Sequence, residues 1–127
     1  MTDNAFAVLD THLGKGTFAK IDLNSGEIVM PLKGKIQNKP DKYTIQISKN
    51  KHIVPEFGKY LNHSCDPNGF FDIQNMVYKT LKPIKQGEEL TFDYNTTEYE
   101  MSNPFVCKCG SEKCIGWVKG AKYWEIK

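Results

Sequence analysis

Four cysteines constrain this chain more than any other feature. Three crowd together as Cys107-Lys108-Cys109 and, five positions on, Cys114, while Cys65 stands far upstream. The C-x-C spacing is too tight for a comfortable disulfide between Cys107 and Cys109, but it suits two ligands on one ion. With Cys65 as a fourth thiolate the set suits one closed tetrahedral zinc site; the alternative is unrelated free thiols. Two disulfides would suit a secreted protein. Yet Met1-Thr2-Asp3-Asn4-Ala5-Phe6 is polar and acidic where a signal peptide would be basic and then apolar. No apolar run approaches the roughly 20 residues that cross a bilayer. A reducing intracellular compartment, cytoplasmic or nuclear, is therefore the expectation.

The 127 residues suffice for one domain with a real core. Seventeen Lys and Arg against fifteen Asp and Glu leave +2, too even a balance to argue for nucleic acid or a membrane surface. Short apolar runs broken by turn residues predict strands at Phe6 to Leu9, Phe18 to Leu23, Glu27 to Met30, Tyr43 to Ser48, Met76 to Lys82 and Glu89 to Tyr94. Tyr43-Thr44-Ile45-Gln46-Ile47 alternates at period two, as a half-buried strand does. Asn24-Ser25-Gly26 and Lys85-Gln86-Gly87 supply turns between such runs. Residues 121–127 fit a short helix or a strand equally well. The chain reads as mostly β.

Three further stretches carry polar chemistry. Asn62-His63-Ser64-Cys65-Asp66-Pro67-Asn68 makes a poor strand and a poor helix; taken alone, it is an ordinary Asx-rich turn. Within Gly87-Glu88-Glu89-Leu90-Thr91-Phe92-Asp93-Tyr94, extended backbone would put Leu90, Phe92 and Tyr94 on one face. Gly14-Lys15-Gly16-Thr17-Phe18-Ala19 has the form of a dinucleotide fingerprint, but strand rather than helix follows, so that reading fails. Its glycines still let the backbone approach a ligand closely.

In order along the chain, Gly14 to Ala19, Tyr60-Leu61-Asn62-His63-Ser64-Cys65-Asp66-Pro67-Asn68, Gly87 to Tyr94 and Cys107-x-Cys109-x4-Cys114 resemble the motifs of a SET domain and its post-SET tail. The resemblance runs from about residue 12 to residue 118. It implies a SET-type β-clip fold with a knot-like core, residues 1–104 forming the SET domain and residues 105–127 a zinc-binding post-SET tail of the same unit. It also implies methyl transfer from S-adenosylmethionine to a lysine amine of a protein or peptide substrate, a histone tail being a frequent target in the family. Lys15, Gly16, Thr17, Phe18, Lys59, Asn62, His63, Tyr94 and Trp117 would contact that cofactor. Tyr94 would be the catalytic tyrosine, with Phe92, Tyr60 and Trp117 along the lysine channel. Cys65, Cys107, Cys109 and Cys114 would hold one structural zinc.

Two departures stand out. Lys59 occupies a position where the family often has Arg, keeping the charge but losing planar bidentate pairing. Little also separates Gly34 from the strand near Tyr43, where the family usually has an insert that helps build the substrate groove. In the family, the position two before the catalytic tyrosine gates product state; here the resemblance puts Phe92 there, and with no hydroxyl it implies di- or trimethyl-lysine. The alternative is a catalytically silent SET-fold binding module stabilised by zinc.

Overall fold

Beta-branched and aromatic residues in short runs, each closed by Gly, Pro, Asn or Asp, leave no stretch long enough for a sizeable helix. In the computed structural model, residues 5–12, 14–99, 101, 104–107, 109 and 111–120 are described. The segment 121–127, read above as helix or strand, lies outside them. The strands are Phe6–Thr11 (β1), Gly14–Ala19 (β2), Ile28–Pro31 (β3), Gly34–Gln37 (β4), Ile45–Ser48 (β5) and Lys51–Pro55 (β6). Asn62–His63 (β7), Gly69–Asp72 (β8), Val77–Thr80 (β9), Thr91–Phe92 (β10), Phe105–Val106 (β11) and Trp117–Val118 (β12) follow.

These strands form small sheets rather than one large one. β1 and β2 make an antiparallel hairpin, β3-β9-β8 and β4-β6-β5 are three-stranded, and β11 pairs with β12. The pair that matters most for the site is β7 with β10, which run parallel. It brings Asn62 beside Thr91 and His63 beside Phe92, two motifs that lie far apart in sequence. The amide of Ser64 extends the ladder by donating to the Phe92 carbonyl at 3.1 Å.

The sheets share one core of Val29, Met30, Leu32, Ile53, Leu61, Tyr78, Ile84, Leu90 and Phe92, among others. Tyr78 anchors it: fully buried, its hydroxyl donates to the Thr91 carbonyl at 2.7 Å and so ties β9 to β10. Gly69 makes room for that ring, since a Cβ there would stand 2.1 Å from the Tyr78 hydroxyl oxygen. Asn68 acts as a surrogate strand partner. Its side chain donates to the Glu89 carbonyl at 2.8 Å and accepts from the Thr91 amide at 2.9 Å.

Two predicted strands need correction. The run expected over Phe18 to Leu23 instead occupies Gly14–Ala19, because β1 pairs with it residue for residue from Thr11 opposite Gly14 to Phe6 opposite Ala19. Leu23 keeps only an isolated bridge to Ile84. The strand expected to reach Tyr94 stops at Phe92, since the Asp93 carboxylate accepts the Asn95 amide and caps a 3-10 turn over Tyr94–Thr96. An Asp that offers its side chain to a nearby amide competes with the strand ladder in this way.

Candidate active site

Around the β7–β10 pair opens a cavity of about 900 Å³. That is within the roughly 300 to 1,000 Å³ usual for small-molecule sites. On one side the hairpin lends the Lys15 backbone, whose carbonyl accepts from Asn62 Nδ2 at 3.0 Å. The same amide nitrogen donates to Glu89 Oε2 at 2.7 Å. Lys15 and Lys59 bring cations to the wall, held near the rings of Tyr60 and Tyr43 respectively at 5.9 and 5.8 Å. Tyr43 and Tyr60 meet edge to face, with centroids 5.7 Å apart.

On the other side stands Tyr94. Its hydroxyl donates to the Leu61 carbonyl at 2.9 Å, and its ring lies 4.8 Å from that of Phe92. Burial, with the nearby Glu89 and Glu98 carboxylates adding to it, pushes the phenol up to about 12. It is therefore protonated throughout the neutral range and cannot act as a base. Phe92 is 2% exposed and packs edge-on against Phe71 at 4.8 Å. His63 is largely buried beneath Tyr94, and that burial lowers its imidazole below the ordinary value despite Asp93 nearby.

The loop after β7 and the β11–β12 hairpin bring the four cysteines together. Their sulfurs all lie within 4.8 Å of one another, and those of Cys65 and Cys107 are 3.8 Å apart. Four thiolates about 2.3 Å from a central zinc form a tetrahedron with edges of roughly 3.8 Å, so this donor set fits that ion. The chain offers no disulfide here; all four are free. Burial raises the Cys107 thiol, whereas a backbone hydrogen bond from Cys65 holds Cys109 down at about 6.

The family model for the SET domain matches residues 14–95, about two thirds of the chain. The chain belongs to the SET-domain family. Methyltransferase flvH of Aspergillus flavus is 41% identical over 68 residues, which cover 52% of this chain and 38% of that protein. A Yarrowia lipolytica histone-lysine N-methyltransferase, H3 lysine-36 specific, is 32% identical over 138 residues, covering 88% of this chain and 18% of the relative. This SET chain thus spans well under half the length of either relative. Among solved structures, KRYPTONITE in complex with mCHG DNA and SAH superposes with a TM-score of 0.74 at 22% identity, over 89% of this chain and 28% of that one. KRYPTONITE with mCHH DNA, an H3(1-15) peptide and SAH gives a TM-score of 0.71 at 21% identity, over 89% and 29%. The mostly-β SET fold expected from the sequence is the fold observed.

Within this SET domain, Lys15, Lys59, Tyr60, Asn62, His63, Phe92 and Tyr94 all reach the cavity wall. Gly16, Thr17, Phe18 and Trp117 do not. Thr17 is fully buried, Phe18 faces a separate small groove, and Trp117 is 51% exposed, with Lys119 Nζ 5.9 Å from its ring. Gly16 acts at one remove, because a Cβ there would come 2.6 Å from Glu89 Oε2 and 3.3 Å from Asn62 Nδ2. Gly16→Ala should therefore push the Glu89 carboxylate off Asn62 and lower stability by about 1 kcal/mol, the cost of roughly one hydrogen bond. Denaturant unfolding checks it; unchanged stability would make the bare backbone at 16 irrelevant.

Two acids at this wall carry no signal in the sequence: Glu89 sits unremarked within Gly87 to Tyr94, and Glu98 belongs to no motif. Glu98 is 6% exposed, lines the cavity and accepts the Gln46 amide at 2.8 Å. Burial raises its carboxyl above the usual range. A carboxyl raised on folding favours the fold below its unfolded pKa, and that contribution is lost as pH climbs through the folded one. Glu98→Gln keeps an acceptor for Gln46 without the charge. It should melt higher than the native chain at neutral pH and lose the advantage in acid, which thermal unfolding across that range measures.

Proposed function

We propose that this SET domain transfers methyl groups from S-adenosylmethionine to the side-chain amine of lysine in a protein substrate. The observation that carries the reading is the Tyr94 hydroxyl at the inner wall of a cavity whose outer wall mixes cations, acceptors and bare backbone. S-adenosylmethionine supplies an electrophilic methyl on a sulfonium. Its amino-acid portion is a zwitterion, suited to the Lys15 carbonyl and Asn62–Glu89 pair on the one hand and to the Lys59 ammonium group on the other, while Asp10 holds the Lys15 ammonium at 2.9 Å. The solved relatives hold SAH, and one holds an H3 peptide, which supports a lysine-bearing histone tail as a substrate class.

The residues of this chain suggest how the amine is prepared. A free lysine has a pKa of about 10.4 and is almost wholly protonated at neutral pH. Apolar walls such as Phe92, Leu61 and Ile45 penalise the ammonium form by desolvation. The Tyr94 hydroxyl donates its hydrogen bond to the Leu61 carbonyl, which leaves its oxygen lone pairs to accept from an amine N–H and aim the nitrogen lone pair. Cys65, Cys107, Cys109 and Cys114 would hold zinc structurally, because four thiolates leave no position open for substrate. Among the described residues no helix is long and apolar enough to cross a membrane, and the relatives named histone-lysine N-methyltransferase support action inside the cell.

Two measurements test this reading. Calorimetry should show S-adenosylmethionine binding, and absence of binding to the folded, zinc-loaded chain would defeat it. Product analysis tests the gate: Phe92 brings no hydroxyl to hold a water beside the amine. The native chain should therefore reach di- or trimethyl-lysine, and Phe92→Tyr should shift the product toward monomethyl. Strictly monomethyl product from the native chain would contradict that assignment.

A further inference from the structure

Each nitrogen of the His63 ring has its own partner, and the partners belong to different parts of the site. Nδ1 lies 3.0 Å from the main-chain nitrogen of Tyr94. A main-chain N–H only donates, so Nδ1 accepts and the ring proton sits on Nε2. Nε2 lies 3.2 Å from Cys65 Sγ, which makes the contact an N–H···S hydrogen bond. The nearby Asp93 Oδ1 stands 3.7 Å from Nδ1, beyond hydrogen-bond reach, and accepts instead from the Asn95 main-chain and side-chain nitrogens.

The ring has little freedom to leave these partners. Its side chain is 2% exposed and sits edge-on to Tyr94 at 5.2 Å and to Phe105 at 5.9 Å. Cys65 Sγ receives a second donor, the Ile115 amide at 3.4 Å, and lies 3.8 Å from Cys107 Sγ. One rigid imidazole therefore spans the backbone of Tyr94 and the cysteine cluster.

We propose that His63 is a positioning residue that clamps the Tyr94 amide to the metal-binding sulfur of Cys65, so that metal loading of the tail sets where the Tyr94 ring stands. The clamp rests on the zinc reading of the four thiols. Donors to ligand atoms orient them and tune their hold on the metal, commonly by 10- to 100-fold in affinity. Because both ring nitrogens are engaged, the constraint is passed on in both directions: tightening the sulfur fixes the ring, and the ring fixes the Tyr94 amide.

The native chain, uniformly labelled with ¹⁵N and loaded with the NMR-active cadmium isotope, gives the direct test. The clamp predicts the Nε2–H tautomer for His63, a scalar coupling from that N–H to cadmium through the sulfur, and a shifted Tyr94 amide on loading. His63→Asn, which keeps an acceptor near Nδ1 but has no donor at Cys65, should release zinc to a chromophoric chelator roughly 10- to 100-fold more readily. His63→Gln, whose longer amide reaches the sulfur, should recover most of that loss. Cadmium uptake with an Nδ1–H tautomer or no coupling would overturn the clamp alone, as would wild-type zinc retention by His63→Asn. Failure to take up any cadmium would overturn the zinc reading and the clamp with it.

Discussion

Tyr94→Phe should lower methyl transfer by about 10²- to 10³-fold while leaving the fold and cofactor binding nearly intact. The estimate takes one positioned polar group at a reacting centre as worth roughly 2.7 to 4 kcal/mol. The variant keeps the ring packing against Phe92, His63 and Phe105. It loses only the 2.9 Å bond to the Leu61 carbonyl, for a stability cost of about 1 kcal/mol. A second consequence follows from the hydroxyl's being pushed up to about 12. In the native chain the rate should rise with pH as more substrate amine is neutral, with no break from tyrosine ionisation below that value. Single-turnover rates over a pH series check both points. Near-native activity in Tyr94→Phe would remove the hydroxyl from the mechanism.

Stripping the metal should have the next largest effect, concentrated in the tail. Metal analysis of chain purified without chelators should find about one zinc per chain, and Cys65→Ser should lose most of it. The expectation of a large effect comes from how short the paired elements of the described tail are. β11 and β12 are two residues each; the buried Val118, the Phe105 ring against His63 and Tyr94, and bonds such as Met101 N–H to the Lys119 carbonyl and Gly120 N–H to Asn95 Oδ1 join them to the rest. Zinc on such thiolate sets is worth roughly 10 kcal/mol or more in small zinc-finger peptides, far above what those few bonds supply. Hydrogen exchange after chelation should thus rise sharply over Phe105–Val106 and Trp117–Val118 while the Tyr78 core stays protected. Absence of zinc, or a Cys65→Ser chain with unchanged metal and tail protection, would contradict the assignment.

The legible parts of this molecule were those whose chemistry is written in short range. Asn62-His63-Ser64, Phe92-Asp93-Tyr94 and the cysteine spacing are local patterns, and the fold places the first two side by side and gathers all four thiols. The alternation over Tyr43 to Ile47 likewise marked β5, although the strand itself begins at Ile45. What stayed hidden depends on pairing across long separations. Glu98 gains its place from the Gln46 amide 52 residues away, and Glu89 from Asn62, 27 residues away. No local pattern announces such partners. β4 and β6 were missed because Gly34-Lys35-Ile36-Gln37 and Lys51-His52-Ile53-Val54-Pro55 are short and carry lysine, glycine or proline. Their strand character comes from lying against each other, from Gly34 opposite Pro55 to Gln37 opposite His52. Trp117, expected at the site, is half exposed and paired across the hairpin with Val106.

The central claim is methyl transfer to lysine, and one measurement addresses it most directly. Zinc-loaded chain is incubated with methyl-deuterated S-adenosylmethionine and a panel of histones and lysate proteins, with Tyr94→Phe in parallel. Mass spectrometry then locates any labelled methyl. The account predicts labelled groups on lysine side-chain nitrogens, reaching the di- or trimethyl state, from the native chain and hardly any from Tyr94→Phe. A folded chain that binds the cofactor yet labels no lysine in any substrate, or labels it equally without the tyrosine hydroxyl, would contradict it.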